Sequence, residues 1–203
     1  MKRVLRNFLS LKESGVLIGL ILIMLFFGFS TRTFFTSTNL LNVLRQASRL
    51  GIMTTAVGLL MISGEFDLSV GSIFAFDGLC CLIFVVNNIL PVGGAFVVSW
   101  AVAAMLGLIN GLIVTKLKIV SFLVTLGTMM IYRGLVLVVS GGWPKPLLID
   151  TFASKLMGGL ILFGFIPIPI VWLILVLVLG WVLLHKTTFG YKVFAVGGNL
   201  QAA

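Results

Sequence analysis

The sequence predicts an all-α, polytopic helical membrane protein, with about six spans and a broken or re-entrant segment near residues 63–72. Three observations carry this reading. Hydrophobic residues make up 60% of the 203 and charged residues only 9%, with a mean hydropathy of +1.25; a soluble domain carries about 25% charged residues. The apolar runs are continuous and show no strand alternation, so the spans read as helices and not as barrel strands. The net charge is +9, and the basic residues sit mostly at the ends of apolar runs. That placement orients spans in a bilayer; it is not the clustered basic face of a nucleic-acid binder. Lipid is therefore an expected partner and nucleic acid is not.

A helical span takes about 20 mostly apolar residues, within a range of about 17–25. The first covers about 15–31. Lys2, Arg3, Arg6 and Lys12 precede it and hold the N-terminus in the cytoplasm. No small-x-small cleavage pattern follows, so it reads as an uncleaved span. A polar stretch, 32–42, comes next, where Ser37, Thr38 and Asn39 can cap a helix. That helix continues as the second span, 45–63. Arg45 and Arg49 fall within it and either snorkel or face the bundle interior.

The third span, 68–87, carries Asp77. Asn87, Asn88, Pro91, Gly93 and Gly94 form the outer turn. The fourth span, 94–115, holds Asn110 among small residues, and Gly107-x-x-x-Gly111 permits close helix approach. Lys116 and Lys118 mark a cytoplasmic turn. The fifth span, 119–140, holds Arg133, a candidate partner for Asp77, Asp67 or Glu65; snorkelling or a bond to backbone carbonyls is the alternative. A long outer segment runs from Gly141 to about Phe165. Pro167 and Pro169 open the sixth span, 168–185, since proline costs little at a helix start. Eight basic residues fall in cytoplasmic segments and five at outer or ambiguous positions. This tally places the N-terminus inside.

The segment 63–72 reads SGEFDLSVGS and holds two of the five acidic residues. A carboxylate at bilayer depth costs about 2.5–3.5 kcal/mol on insertion scales. Glu65 and Asp67 must therefore meet a membrane surface, a protein-lined aqueous cavity, or partners. Gly64 and Gly71 loosen the backbone on both sides. Asp67, Ser69 and Ser72 can each bond a free N–H where a helix restarts near Asp67. Asp67 is thus read both as a capping side chain and as part of a pathway. Glu65, Asp67, Ser69, Asp77 and Arg133 form the candidate substrate pathway or gate.

No enzyme chemistry is expected. The lone histidine, His185, ends an apolar run, so there is no metal cluster and no nucleophile–base set. Cys80 and Cys81 are adjacent inside a span and read as small packing residues. No Gly-x-x-x-x-Gly-Lys-Ser/Thr loop is present, so no cofactor is expected on this chain, and ATP would be bound elsewhere.

The segment 63–72 resembles the GGIDLSVGS signature of the permease subunits of bacterial monosaccharide ABC importers, the ribose, xylose, galactoside and autoinducer-2 type. Phe34-Phe35-Thr36 with Asn39-Leu40-Leu41-Asn42-Val43-Leu44 is similar to the segment that precedes it in that family. Gly111–Val114, 122–130 followed by Arg133-Gly134, then Thr188-Phe189-Gly190 and Ala195-Val196-Gly197-Gly198-Asn199 match in order. Two departures stand out: Glu65-Phe66 replaces a Gly/Ile-type pair, and Tyr191 stands where arginine is usual. The resemblance implies one permease domain, 1–203, in the bacterial inner (cytoplasmic) membrane, ending in a cytoplasmic segment, 186–203, that docks on an ATPase. Gly190, Gly197, Gly198 and Asn199 are the coupling residues it implies. Asn199 is also read as the cap of a helix starting at Leu200, which leads to the expectation of a truncated chain. The implied function is import of a monosaccharide or related small polar solute. An ABC ATPase, which holds ATP and Mg, a periplasmic or surface-tethered solute-binding protein and a second permease subunit are the implied partners. An ion-coupled secondary carrier using the acidic residues and Arg133, or an inactive truncated remnant, is the alternative.

Overall fold

The computed structural model describes residues 14–143, 150–161, 164 and 166–198. Among these residues it is an all-α polytopic membrane protein, with one two-residue strand pair. The helices are α1 (Ser14–Ser30), α2 (Ser37–Ile62), α3 (Val70–Val86), α4 (Val92–Leu117), α5 (Ser121–Ser140), α6 (Phe152–Gly158), α7 (Ile168–Lys186) and α8 (Thr188–Gly198). Of these, α4, α5 and α7 are long and apolar enough to cross a membrane. Two apolar helices, α1 and α3, have 17 residues each, the lower limit for a span. Helix α2 has 26 residues but carries Arg45 and Arg49 in its first half.

The chain divides into two compact units, Met1–Gln46 and Ala47–Ala203. In the first unit, phenylalanines set the turn after α1. Phe27 stacks on Phe34 at 5.9 Å, and Phe35 meets Phe34 edge-on at 5.0 Å. The start of α2 differs from the expected cap at 37–39. The Thr36 hydroxyl accepts from the Asn39 N–H at 3.4 Å, and the Asn39 amide donates back to the Phe34 carbonyl at 2.7 Å. Thr36 sits just ahead of the helix, where a side-chain oxygen can reach a free N–H. Arg45 donates to Asn42 at 3.2 Å, one turn back on the same helix.

The second unit is built on α3, which packs against both α4 and α5. Its interior is made mostly of small and polar residues, with Cys81, Leu82, Val124 and Tyr132 among them. Ser69, Ser99 and Ala95 are fully buried, and Ser72, Asn110, Ser121 and Thr125 are buried with them. The exterior is Leu, Ile, Val and Phe. Small residues let backbones approach where lipid supplies no hydrophobic drive between helices.

Helix ends follow local chemistry. Asn88 takes a positive φ of 53° in the turn after α3, and Pro91 opens α4. Helix α4 ends at Lys118 in the left-handed region, and α5 ends at Gly141 with φ 72°. The stretch between α5 and α7 holds two features that the sequence reading lacked. One is α6, opened by a reciprocal Thr151–Ser154 capping box; the other is an antiparallel pair, β1 (Leu160–Ile161) with β2 (Ile166–Pro167). Helix α7 starts after Pro167 with Pro169 in its first turn.

The segment after α7 is itself helical up to the two glycines, a helix that the sequence reading did not place. Helix α8 begins where the Thr187 hydroxyl accepts from the Gly190 N–H at 3.3 Å, and it ends at the two glycines. Glycine is favoured where a helix stops. Asn199 and Leu200 lie outside the described residues, as do Lys2, Arg3, Arg6, Lys12 and Lys145.

Candidate translocation site at the helix break

Between α2 and α3 the chain leaves the helical path for residues 63–69. The turn starts with the Ser63 hydroxyl donating to the Leu60 carbonyl at 2.7 Å. Gly64 then takes φ 88°, a conformation strained for any residue with a Cβ. Helix α3 restarts at Val70, three residues later than a start at Asp67. The difference has a specific cause. One Asp67 oxygen, Oδ1, accepts from both the N–H (2.7 Å) and the hydroxyl (2.6 Å) of Ser69. This Asx turn holds Ser69 at the N-cap, where its own side chain makes no cap bond.

Freed from capping, the Ser69 hydroxyl serves a longer chain of bonds. It accepts from the Asn110 amide of α4 at 2.9 Å. The other end of Asn110 accepts from the Tyr132 hydroxyl of α5 at 3.2 Å. Two further bonds tie the break to α5: the Phe66 N–H donates to Ser121 Oγ at 3.1 Å, and Thr125 donates to the Phe66 carbonyl at 3.4 Å. Each of these groups would cost free energy if buried alone. Linked, they fix an irregular backbone segment to two spans.

The break, α4 and α5 surround a cavity of about 340 Å³. Its polar lining is Glu65, Asp67, Asn110, Thr115, Ser121 and Thr125. Gly107 and Gly111 line it as well, and a Cβ on either would meet nothing within 4 Å. This corrects the expectation that Gly107-x-x-x-Gly111 lets two helices touch: the pair makes room for the cavity.

The five sequence-read pathway residues are only partly brought together. Glu65 and Asp67 line the same cavity, and Ser69 is bonded to Asp67. Arg133 lies elsewhere, exposed and lining a groove of about 390 Å³ with Leu68, Gly71 and Ser72. It makes no ion pair with Asp77, Asp67 or Glu65; among the described residues Lys155–Asp150, at 2.9 Å and exposed, is the one ion pair. Asp77 has one buried carboxylate oxygen without a hydrogen-bond partner among the described residues. Arg49 lines a third cavity, of about 850 Å³, with Cys81, Ser140 and Trp143. No group of three metal-ligating side chains occurs among the described residues.

Sequence reading missed Asn110 and Tyr132 as site residues. The available signal was the amide itself: an asparagine inside a 26-residue apolar helix needs a partner. Of the residues that the family resemblance implies for coupling, Gly197 and Gly190 are close-packed. A Cβ on Gly197 would overlap the Ile62 carbonyl at the end of α2, and one on Gly190 would overlap the Leu184 carbonyl of α7. Gly198 has open space.

A helical membrane bundle whose polar groups converge on a broken helix beside a cavity fits a transport permease, whose sites are commonly formed by interrupted helices. The family described as the permease component of branched-chain amino acid transport systems matches residues 39–203, and the chain belongs to that permease family. It is 35% identical over 193 residues to the ribose import permease protein of Bacillus subtilis strain 168, covering 95% of this chain and 59% of the relative. It is 32% identical over 189 residues to the xylose/arabinose import permease protein of Sulfolobus acidocaldarius, covering 90% and 51%. It is 33% identical over 197 residues to an autoinducer 2 import system permease protein of Yersinia pestis strain Pestoides F, covering 95% and 54%. The chain thus spans between half and three-fifths of the length of these relatives. No solved structure matches it.

Proposed function

We propose that the chain is the membrane-spanning permease component of an ATP-binding-cassette importer for a monosaccharide or related small polar solute. The observation that carries this is the polar, cavity-forming break between α2 and α3, in a chain similar over most of its length to ribose, xylose/arabinose and autoinducer 2 import permeases. The cavity, at about 340 Å³, lies at the small end of the range for ligand pockets, about 300–1,000 Å³. The chain performs no covalent chemistry. ATP and Mg belong to a separate ABC ATPase; a solute-binding protein delivers the cargo, and a second permease subunit completes the pathway. The protein sits in the cytoplasmic membrane with its N-terminus inside.

In this reading α8 receives the ATPase. Gly197 abuts the Ile62 carbonyl, the last residue of α2 before the break. A shift of α8 therefore reaches Ser63 and Glu65 through backbone contact. Ion-coupled carriage is less well supported, because Arg133 is paired with none of the membrane acids.

The test is uptake of labelled ribose or xylose by cells that depend on this gene. Uptake that needs a solute-binding protein and stops when the ATPase is blocked by vanadate supports an importer. Uptake that persists under vanadate and collapses with the proton gradient overturns it.

A further inference from the structure

The polar groups around the cavity are of unequal availability. The Thr115 hydroxyl donates to the Gly111 carbonyl at 2.7 Å, and the Thr125 hydroxyl to the Ser121 carbonyl at 2.8 Å. Asn110 donates to Ser69 and accepts from Tyr132. Asp67 uses Oδ1 for Ser69 and has no bond at its other oxygen. The Glu65 carboxylate makes no hydrogen bond or ion pair among the described residues, and no Lys, Arg or His lines the cavity. The wall therefore offers two carboxylates as acceptors against the hydroxyl proton of Ser121, whose oxygen accepts from the Phe66 N–H, while its threonine donors are turned to the backbone. A fitting ligand supplies hydrogen-bond donors and brings no negative charge.

We propose that Glu65 sets the charge selectivity of this cavity: its carboxylate, with the free oxygen of Asp67, takes the hydroxyl donors of a neutral polyhydroxylated solute and turns away sugar acids and sugar phosphates. This rests on the importer reading and adds to it a residue and a rejected class. The neighbouring groove with Arg133 is a separate surface and does not neutralise the wall. Carboxylates accept hydroxyl donors more strongly than neutral acceptors do, and a solute carboxylate close to Glu65 would meet like charge at short range.

The test follows a cysteine placed at Val114, which lines the cavity, in membranes holding the chain with Cys80 and Cys81 changed to alanine. The rate of maleimide reaction is measured with D-ribose, D-xylose, D-ribonate or D-ribose 5-phosphate present. The neutral sugars slow the reaction; ribonate and the phosphate do not. With Glu65→Gln the half-protecting concentration of the neutral sugar rises about tenfold, and ribonate begins to protect. Thr115→Lys, which adds a cation to the same wall and keeps Glu65, also admits ribonate. Equal protection by ribose and ribonate in the parent chain, or a Glu65→Gln profile identical to it, overturns the assignment to Glu65 and leaves the importer reading intact. Absence of protection by every solute in every variant, together with absence of uptake, overturns both.

Discussion

At the scale of single residues, Asp67 and Asn110 show how the bilayer makes polar side chains interdependent. Asp67→Asn keeps an oxygen for Ser69, so the Asx turn survives, but it turns the free carboxylate oxygen into an N–H donor, and uptake should fall in part; Asp67→Leu removes both, and uptake should be lost. Comparing uptake by the two variants at equal membrane abundance separates a structural carboxylate from one whose charge is needed. Tyr132→Phe removes a single donor to Asn110 and should cost about 1 kcal/mol of stability, the usual worth of one such bond. Asn110→Leu takes a partner from Ser69 and from Tyr132 at once and should cost about 2 kcal/mol, the worth of two such bonds. Reversible unfolding in mixed micelles measures both, and equal costs for the two variants would sink the view of Asn110 as the joint of the network.

At the scale of elements, α8 offers a neighbouring pair of glycines with opposite surroundings. Gly197→Ala forces a Cβ into the Ile62 carbonyl, whereas Gly198→Ala meets open space. The first should displace α8 at a cost of about 1–3 kcal/mol, typical of overpacking, and lower the solute moved per ATP hydrolysed. The second should be close to neutral. Transport and ATP turnover measured side by side in the assembled importer decide the matter. The same helix shows where sequence reading stops. Long apolar runs announced the spans because no other structure satisfies backbone groups in lipid. The two glycines at 197 and 198 were ambiguous, since glycine ends helices as readily as it opens turns. Thr187, bonded to Gly190, marks the true start. Helix α6 escaped notice because its capping box uses Ser154 in place of the usual glutamate or glutamine. The break at 63–72 was legible from Glu65, Asp67 and the flanking glycines. The partners that hold it, on α4 and α5, lie 41 and more residues away in sequence, and no local pattern names them.

At the scale of the whole molecule, the division of side chains is inverted from that of a water-soluble protein. Serines, an asparagine and a threonine are inside, while leucines, isoleucines and phenylalanines are exposed. Lipid accounts for the exposed set, and the close approach of helices for the small buried one. The proposed direction rests on charge. Lys116 and Lys118 lie at the α4–α5 turn, and Lys186 and Lys192 at the α7–α8 turn and on α8. The turn between α3 and α4 has no Lys or Arg, and Gly141 to Trp143 after α5 has none either. In the proposed orientation positive charge is retained on the cytoplasmic side, and the break at 63–69, one span before the uncharged α3–α4 turn, faces inward. Single cysteines at Asn88 and Gly142, with Cys80 and Cys81 changed to alanine, should react with a membrane-impermeant maleimide in intact cells. Cysteines at Lys118 and Lys192 should react only after the membrane is opened. The reverse pattern would turn the molecule over and put Glu65 at the outer mouth, where it would screen solutes on entry. In the proposed orientation, Glu65 stands at the inner end of the route. It acts there on a solute already released into the membrane, next to the α8 contact at Ile62 through which the ATPase would act on the break.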